Sequence, residues 1–230
     1  MMHLFASLLV VSSLFGSAVS QATLLGRDLD GNASTFEAYF DTDLNVTWLA
    51  DANYAQTSGY DPTGEMAWSQ ATLWAANLSF TDGVNVYDDW RLPATLEPDP
   101  TCNGPGTSSG YYCTGSELGH LFYVELGGQA AQDINAVHNA NYDLFLNIQS
   151  TSYWSATEQL PNVFMPGTAP AYLFRHDGLQ MALPKENYAF YAWAVSPGDV
   201  ANVPEPATWL MVLSGLALLY SAGKRKRLGS

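Results

Sequence analysis

Two apolar runs, one near each end of the chain, limit what can fold between them. The first, Leu4 to Phe15 (LFASLLVVSSLF), is followed at once by the small residues Gly16, Ser17, Ala18 and Ser20. Its length and small-x-small tail predict a signal peptide over residues 1–22, cut after a pair such as Ala18/Ser20 or Ser20/Ala22. The start of the run departs from the usual pattern, since His3 stands where Lys or Arg is common. The second run reaches from Ala207 to Ala222 and stops at Lys224-Arg225-Lys226-Arg227. As a helix it measures about 24 Å. That is short of the ~30 Å hydrocarbon core, so it spans as a transmembrane helix only with snorkelling basic residues and local thinning. Trp209 and Tyr220 near its ends are residue types that settle at membrane interfaces. Basic clusters stay on the cytoplasmic side, which places the body of the chain outside. What is left to fold is residues 23–202, the size of one ordinary domain.

That body is strongly acidic. The whole chain has 8 Lys+Arg against 22 Asp+Glu, a net charge of −14. Half of the basic residues sit in the C-terminal cluster. Residues 23–202 keep Arg27, Arg91, Arg175 and Lys185 against 21 acidic side chains, a net charge of −17. Such a surface repels phosphate backbones and sulfated polymers, which excludes nucleic acid as a partner. Divalent cations, neutral sugars and basic proteins stay open. With 47% hydrophobic residues, 7 Trp and 13 Tyr, the chain can build a core and lacks the composition of a disordered segment.

Cys102 and Cys113 are the two cysteines. In an exported chain they are most simply a disulfide closing a short loop, contributing about 2–3 kcal/mol. The competing reading, metal or redox chemistry, lacks a C-x-x-C spacing and clustered histidines.

The C-terminal segment admits three readings. A plain membrane anchor is one. A glycolipid-anchor signal is disfavoured, because its apolar tail should end the chain without a polybasic stop. The third follows from Pro204-Glu205-Pro206, the apolar run and Lys224 to Arg227 in that order, which resemble the PEP-CTERM sorting signal over residues 203–227. The resemblance implies processing by an exosortase, a membrane transpeptidase with a cysteine nucleophile, after export through the Sec translocon and cleavage by signal peptidase. The chain would be anchored transiently in the inner membrane and then reach the cell surface or the extracellular space. Leu92-Pro93-Ala94-Thr95 looks like a sortase motif but lies mid-domain, lacks the following Gly and precedes no apolar helix; it is read as coincidence.

Periodicity within the body predicts mixed α and β structure. Thr35 to Phe40 and Val46 to Leu49 read as a hairpin around Asp41 to Asn45. Trp68, Ala71, Ala75 and Leu78 share one helical face. Ser116 is positioned as the N-cap of a second helix that stops at Gly127-Gly128, with Leu118, Leu121, Phe122 and Leu126 as its apolar stripe. Pro98 to Gly110 reads as a loop pinned by the cysteine pair. Ser152 to Ser155 reads as a short strand, and Tyr172 to Arg175 and Leu179 to Ala182 flank a tight turn at His176-Asp177-Gly178. Tyr188 to Val195 is apolar on both faces and predicts an interior strand.

Five short motifs recur in series: Asp43 to Leu49 (DLNVTWL), Asp89-Trp90-Arg91-Leu92-Pro93, Ser116-Glu117-Leu118, Tyr153 to Thr157 (YWSAT) and Ala192-Trp193-Ala194-Val195. In this order they resemble the domain family named after the C-terminal domain of the Legionella collagen-like protein, over about residues 35–200. The resemblance implies an α+β, C-type-lectin-like fold with two helices and a small twisted antiparallel sheet. It also implies adhesion or ligand binding without catalysis. Trp48, Trp90, Arg91, Pro93, Glu117, Trp154, Ser155 and Trp193 are the motif positions, expected to be mainly structural. The family often has Arg after Trp-x-Val, where Ser196 stands here, so a ligand role at that position does not carry over.

Candidate sites read directly from residues are few. Asp41, Asp43 and Asn45 match the first spacings of a calcium loop, but Val46 replaces the required Gly and Ala52 the closing Glu. Asp28, Asp30 and Asn32 fail similarly, with Tyr39 at the last position. Turn-forming Asp and Asn account for both runs. A calcium site assembled from distant carboxylates suits the acidic body better, although its ligands are not legible. Arg91 is expected to pair with Asp88, Asp89 or a distant carboxylate, the rival reading being a grip on an anionic ligand. Trp154 and Trp193 read as core in preference to sugar platforms. His120, His138 and His176 share no metal spacing, and no Ser or Cys lies in a nucleophile motif. The combined expectation is a surface or matrix protein that binds exopolysaccharide, with calcium as the cofactor to test. An enzyme on the related formylglycine-generating-type fold and a purely structural matrix protein are the alternatives.

Overall fold

The computed structural model describes residues 24–106, 108–159 and 171–200. The expected signal peptide and the sorting signal, with its transmembrane helix and basic tail, lie outside these residues. Among the described residues no helix is long and apolar enough to cross a membrane.

The architecture is α+β, with short helices and antiparallel sheets. Strands β1 (Leu24–Arg27), β2 (Ala38–Asp41), β3 (Val46–Leu49) and β9 (Val195–Pro197) form a four-stranded sheet in the order β1-β2-β3-β9. Strands β6 (Ser152–Glu158), β7 (Ala171–Arg175) and β8 (Gln180–Leu183) form a second sheet, and β4 (Phe80–Thr81) with β5 (Val86–Tyr87) a small hairpin. Antiparallel pairing is thus divided between sheets rather than gathered in one. The predicted first hairpin forms, with Asp41 opposite Val46, although β2 begins at Ala38 and the sequence reading missed β1. The second hairpin turns at Gly178, whose φ of 87° suits a residue without a Cβ.

Helix α1 (Tyr54–Thr57) is a single turn that periodicity did not disclose. Helix α2 (Trp68–Ala76) buries Ala71, Trp74 and Ala75, close to the predicted face. The second predicted helix begins at Glu117 but remains α-helical only to His120 (α3), then widens to a π-helical turn over Leu121–Glu125. Ser116 is its N-cap residue, as predicted, but its side chain makes no capping bond: the hydroxyl donates to Asp99 at 2.9 Å and accepts from the Leu96 amide at 3.1 Å.

Tyr188 to Val195 is not the continuous interior strand that its two-faced apolarity suggested. Phe190 bridges to Met66, Tyr191 to Tyr153 and Val195 to Arg91, so the segment passes between elements and is shared among several of them. Its first residues, Tyr188 and Ala189, are exposed, and only Ala192 to Val195 are buried. Trp193 packs on Trp48 at 5.6 Å, Phe145 at 5.1 Å and Tyr153 at 5.5 Å, and its indole N–H donates to the Leu49 carbonyl at 2.7 Å. This one side chain ties the two larger sheets together. The disulfide between Cys102 and Cys113 is present, and the loop it closes is fastened to β8 by the Gln180 amide donating to the Ser108 carbonyl at 2.8 Å.

Candidate functional site

The motif residues are mostly scaffold. Trp48, Trp90, Trp154 and Trp193 are buried, as is Pro93. Trp90 donates to the Tyr87 carbonyl at 3.0 Å and Trp154 to the Met66 carbonyl at 2.8 Å. Ser155 is buried, and its hydroxyl accepts from Thr95 at 2.8 Å and from the Thr157 amide at 3.2 Å.

Arg91 finds a distant carboxylate, not its exposed neighbours Asp88 and Asp89. Its two terminal nitrogens donate to the two oxygens of Glu117, both at 2.7 Å, and Glu117 also accepts from the Ala94 amide at 2.6 Å. The hydrogen bonds to Glu117 raise the Arg91 pKa above its ordinary value. With its fork filled by the protein, Arg91 is spent on structure.

Three residues behave differently. Asp41 at the end of β2, His120 at the end of α3 and Glu125 in the π-helical turn bring one ligand-type atom each within 4.8 Å of one another. Asp41 is 0% and Glu125 1% exposed, and the His120 side chain 14%. Asp41 Oδ1 accepts from the amides of Asp43 and Leu44, both at 3.0 Å, closing the β2–β3 turn. Its other oxygen, both Glu125 oxygens and His120 Nε2 have no hydrogen-bond partner among the described residues. His120 Nε2 and Glu125 Oε1 lie 3.5 Å apart, beyond a well-made hydrogen bond. Burial raises the Asp41 pKa despite the opposing Leu44 amide. Burial lowers that of His120, but Glu125 and Asp41 outweigh it and the net direction is upward.

The π turn makes this grouping possible. On an α-helix, residues five apart point about 140° away from each other. Here the Leu126 amide bonds to the Leu121 carbonyl at 2.8 Å, five residues back, and the wider turn swings Glu125 toward His120. The side-chain amides of Asn139 and Asn141 hold the Glu125 carbonyl at 2.8 and 2.9 Å. Sequence reasoning assigned Asp41 to a turn, passed over His120 for lack of metal spacing, and did not single out Glu125. A carboxylate adjoining the apolar stripe, beside Leu121, Phe122 and Leu126, was the available signal.

The surface offers a second feature. A cleft of about 580 Å³ opens beside β2 and α1, lined by the rings of Phe36, Tyr39, Tyr54 and Phe80 and by Asp30, Glu37, Asp51 and Asp143. Phe36 is 51% exposed. Its ring lies across Gly26, where a Cβ would come within 2.4 Å of it, so the bare backbone of β1 seats the aromatic wall. Asp28, Asp30 and Glu37 approach one another at the rim. Their oxygens accept from nearby amides, Asp28 from Asp30 and Gly31, Asp30 from Asn32 and Glu37 from Leu29. These are turn contacts, and proximity alone makes no ion site of them.

Compared with known protein families, characterised proteins and solved structures, the chain matches none.

Proposed function

We propose that this is an exported, exosortase-processed surface or extracellular-matrix protein whose folded body, of the C-type-lectin-like kind, binds exopolysaccharide without catalysis. The cleft is the observation that carries the binding reading. Its volume falls within the range of small-ligand sites. Aromatic walls stack on the apolar faces of sugar rings, and carboxylates accept from sugar hydroxyls. Because the four carboxylates would repel sulfate and uronate groups, the ligand class is a polymer of neutral or amino sugars. Sorting is carried by Pro204-Glu205-Pro206, the apolar run and the basic tail.

Retention of the purified protein on immobilised neutral, amino and acidic polysaccharides tests the binding reading. Phe36→Ala should abolish retention on the neutral or amino polymers while lowering the melting temperature only slightly, since about half of the ring is exposed. No retention on any matrix polymer would remove the proposal. Repeating the assay after EDTA, and again with calcium restored, decides whether calcium takes part. Replacing Pro204, Glu205 and Pro206 by alanine should leave an uncut form in the inner membrane; release at normal size would end the sorting claim.

A further inference from the structure

We propose that Asp41, His120 and Glu125 hold one divalent transition-metal ion of the zinc class, through Asp41 Oδ2, His120 Nε2 and a Glu125 carboxylate oxygen, with a further position left to water. The proposal stands apart from the cleft and from polysaccharide binding.

Two carboxylates are buried side by side, and three of their four oxygens have no donor among the described residues. Buried charges are costly unless they are paired or bind a metal. A protonated His120 is an insufficient answer. Its Nε2 faces the cluster with one N–H, which can serve one acceptor, and at 3.5 Å it serves even Glu125 Oε1 poorly. Two further oxygens would stay unmet. One divalent ion satisfies all three side chains at once.

Ligand bonds of 2.0–2.1 Å in a tetrahedral arrangement place neighbouring donor atoms about 3.3 Å apart. The 3.5 Å ion-pair distance between His120 Nε2 and Glu125 Oε1, longer than a well-made hydrogen bond, is close to that separation. The site also has its supports. Two amides fix the outer oxygen of Asp41, leaving Oδ2 directed inward, and the two asparagines that bind the Glu125 carbonyl hold the π turn that presents its carboxylate. The slight exposure of His120 gives an ion a way in.

The donor set selects the ion. One imidazole nitrogen and two carboxylates suit zinc and its first-row neighbours. Calcium calls for six to eight oxygens, more than this buried group supplies.

The test uses the full chain, stripped with EDTA, dialysed and titrated with Zn²⁺ while heat of binding, bound metal and melting temperature are followed. One zinc per chain should bind, with a saturable rise in melting temperature. The near-isosteric variants Glu125→Gln and Asp41→Asn should each weaken zinc binding at least tenfold. His176→Gln, which alters the half-buried pair of His176 with Asp133, should leave it unchanged. Zinc-edge absorption of the loaded wild type should show nitrogen and oxygen neighbours with a histidine signature, a readout that survives if a variant fails to fold. Absence of stoichiometric uptake, uptake unaltered by Glu125→Gln, a spectrum without histidine, or saturation by Ca²⁺ with zinc excluded would each overturn the proposal.

Discussion

One short helix carries two ionic clusters that differ in almost every respect. At its start, Glu117 meets Arg91 through both oxygens and also takes the Ala94 amide, so each charge is answered. At its end, His120 and Glu125 gather with Asp41 in a largely buried place where three oxygens and a nitrogen have no hydrogen-bond partner among the described residues. The first cluster is a fastening between the 91–94 segment and the helix. The second is a buried group of two carboxylates and an imidazole, held together by no well-made hydrogen bond among the described residues. The contrast teaches that charge alone does not identify a functional site; the accounting of donors and acceptors does.

The largest expected effect concerns the frame around the satisfied cluster. Ser108, within the loop closed by Cys102 and Cys113, accepts from the Asp99 amide, and Asp99 in turn accepts from Ser116, the residue before Glu117. Replacing both cysteines by alanine should cost about 2–3 kcal/mol in denaturant unfolding. Zinc uptake should survive, because Asp41 and Glu125 take their supports from other segments. Joint loss of both would show that the two clusters are one unit and break the comparison.

Next in size is Glu117→Gln. A buried pair costs about 3–5 kcal/mol to break and an exposed one about 1 or less. Here the side chains are 35% and 15% exposed, Arg91 and Glu117 respectively. A loss of about 2 kcal/mol is expected, read from the urea midpoint. Glu125→Gln should behave oppositely in EDTA. Removing one of two adjacent, incompletely satisfied buried carboxylates should leave the metal-free protein unchanged or raise its stability by about 1 kcal/mol. Equal destabilisation by the two substitutions would mean that the second cluster is already satisfied.

Legibility in the sequence followed the range of the interactions. The α2 face came from periodicity over Trp68, Ala71 and Ala75, the second hairpin from Asp177-Gly178, and the disulfide from cysteine count and predicted compartment. These are local or compositional signals. Tyr188 to Val195 misled twice: only Ala192 to Val195 are buried, Tyr188 and Ala189 being exposed, and an apolar run says nothing of who shares the backbone, whose bridges go to Met66, Tyr153 and Arg91. That Arg91 pairs was legible, but its partner was not, since Glu117 lies 26 residues on. The Asp41–His120–Glu125 group was hidden twice. Asp41 belongs to a turn in its own right, and the His120–Glu125 spacing looks wrong on any α-helix. Only the π turn makes it right, and no pattern of apolar residues announces a helix widening by one residue.

The smallest effect tests whether the satisfied cluster depends on the shape of its cation or only on its charge. Arg91→Lys keeps the charge but cannot bond both Glu117 oxygens in one plane. Glu117 would retain the Ala94 amide and one ammonium contact, so its burial would stay largely compensated. The loss should therefore be about 0.5–1 kcal/mol, well below that of Glu117→Gln. In the double variant the lysine should add little to the cost of the glutamine, since the pairing it weakens is already gone; such non-additivity is the mark of a direct partnership. Full additivity, measured by urea unfolding of all four proteins, would show that Arg91 is held by its backbone bonds to Val195 and that the ion pair is incidental. The distinction between a fastened cluster and an unmet one would then have to rest on the buried triad alone.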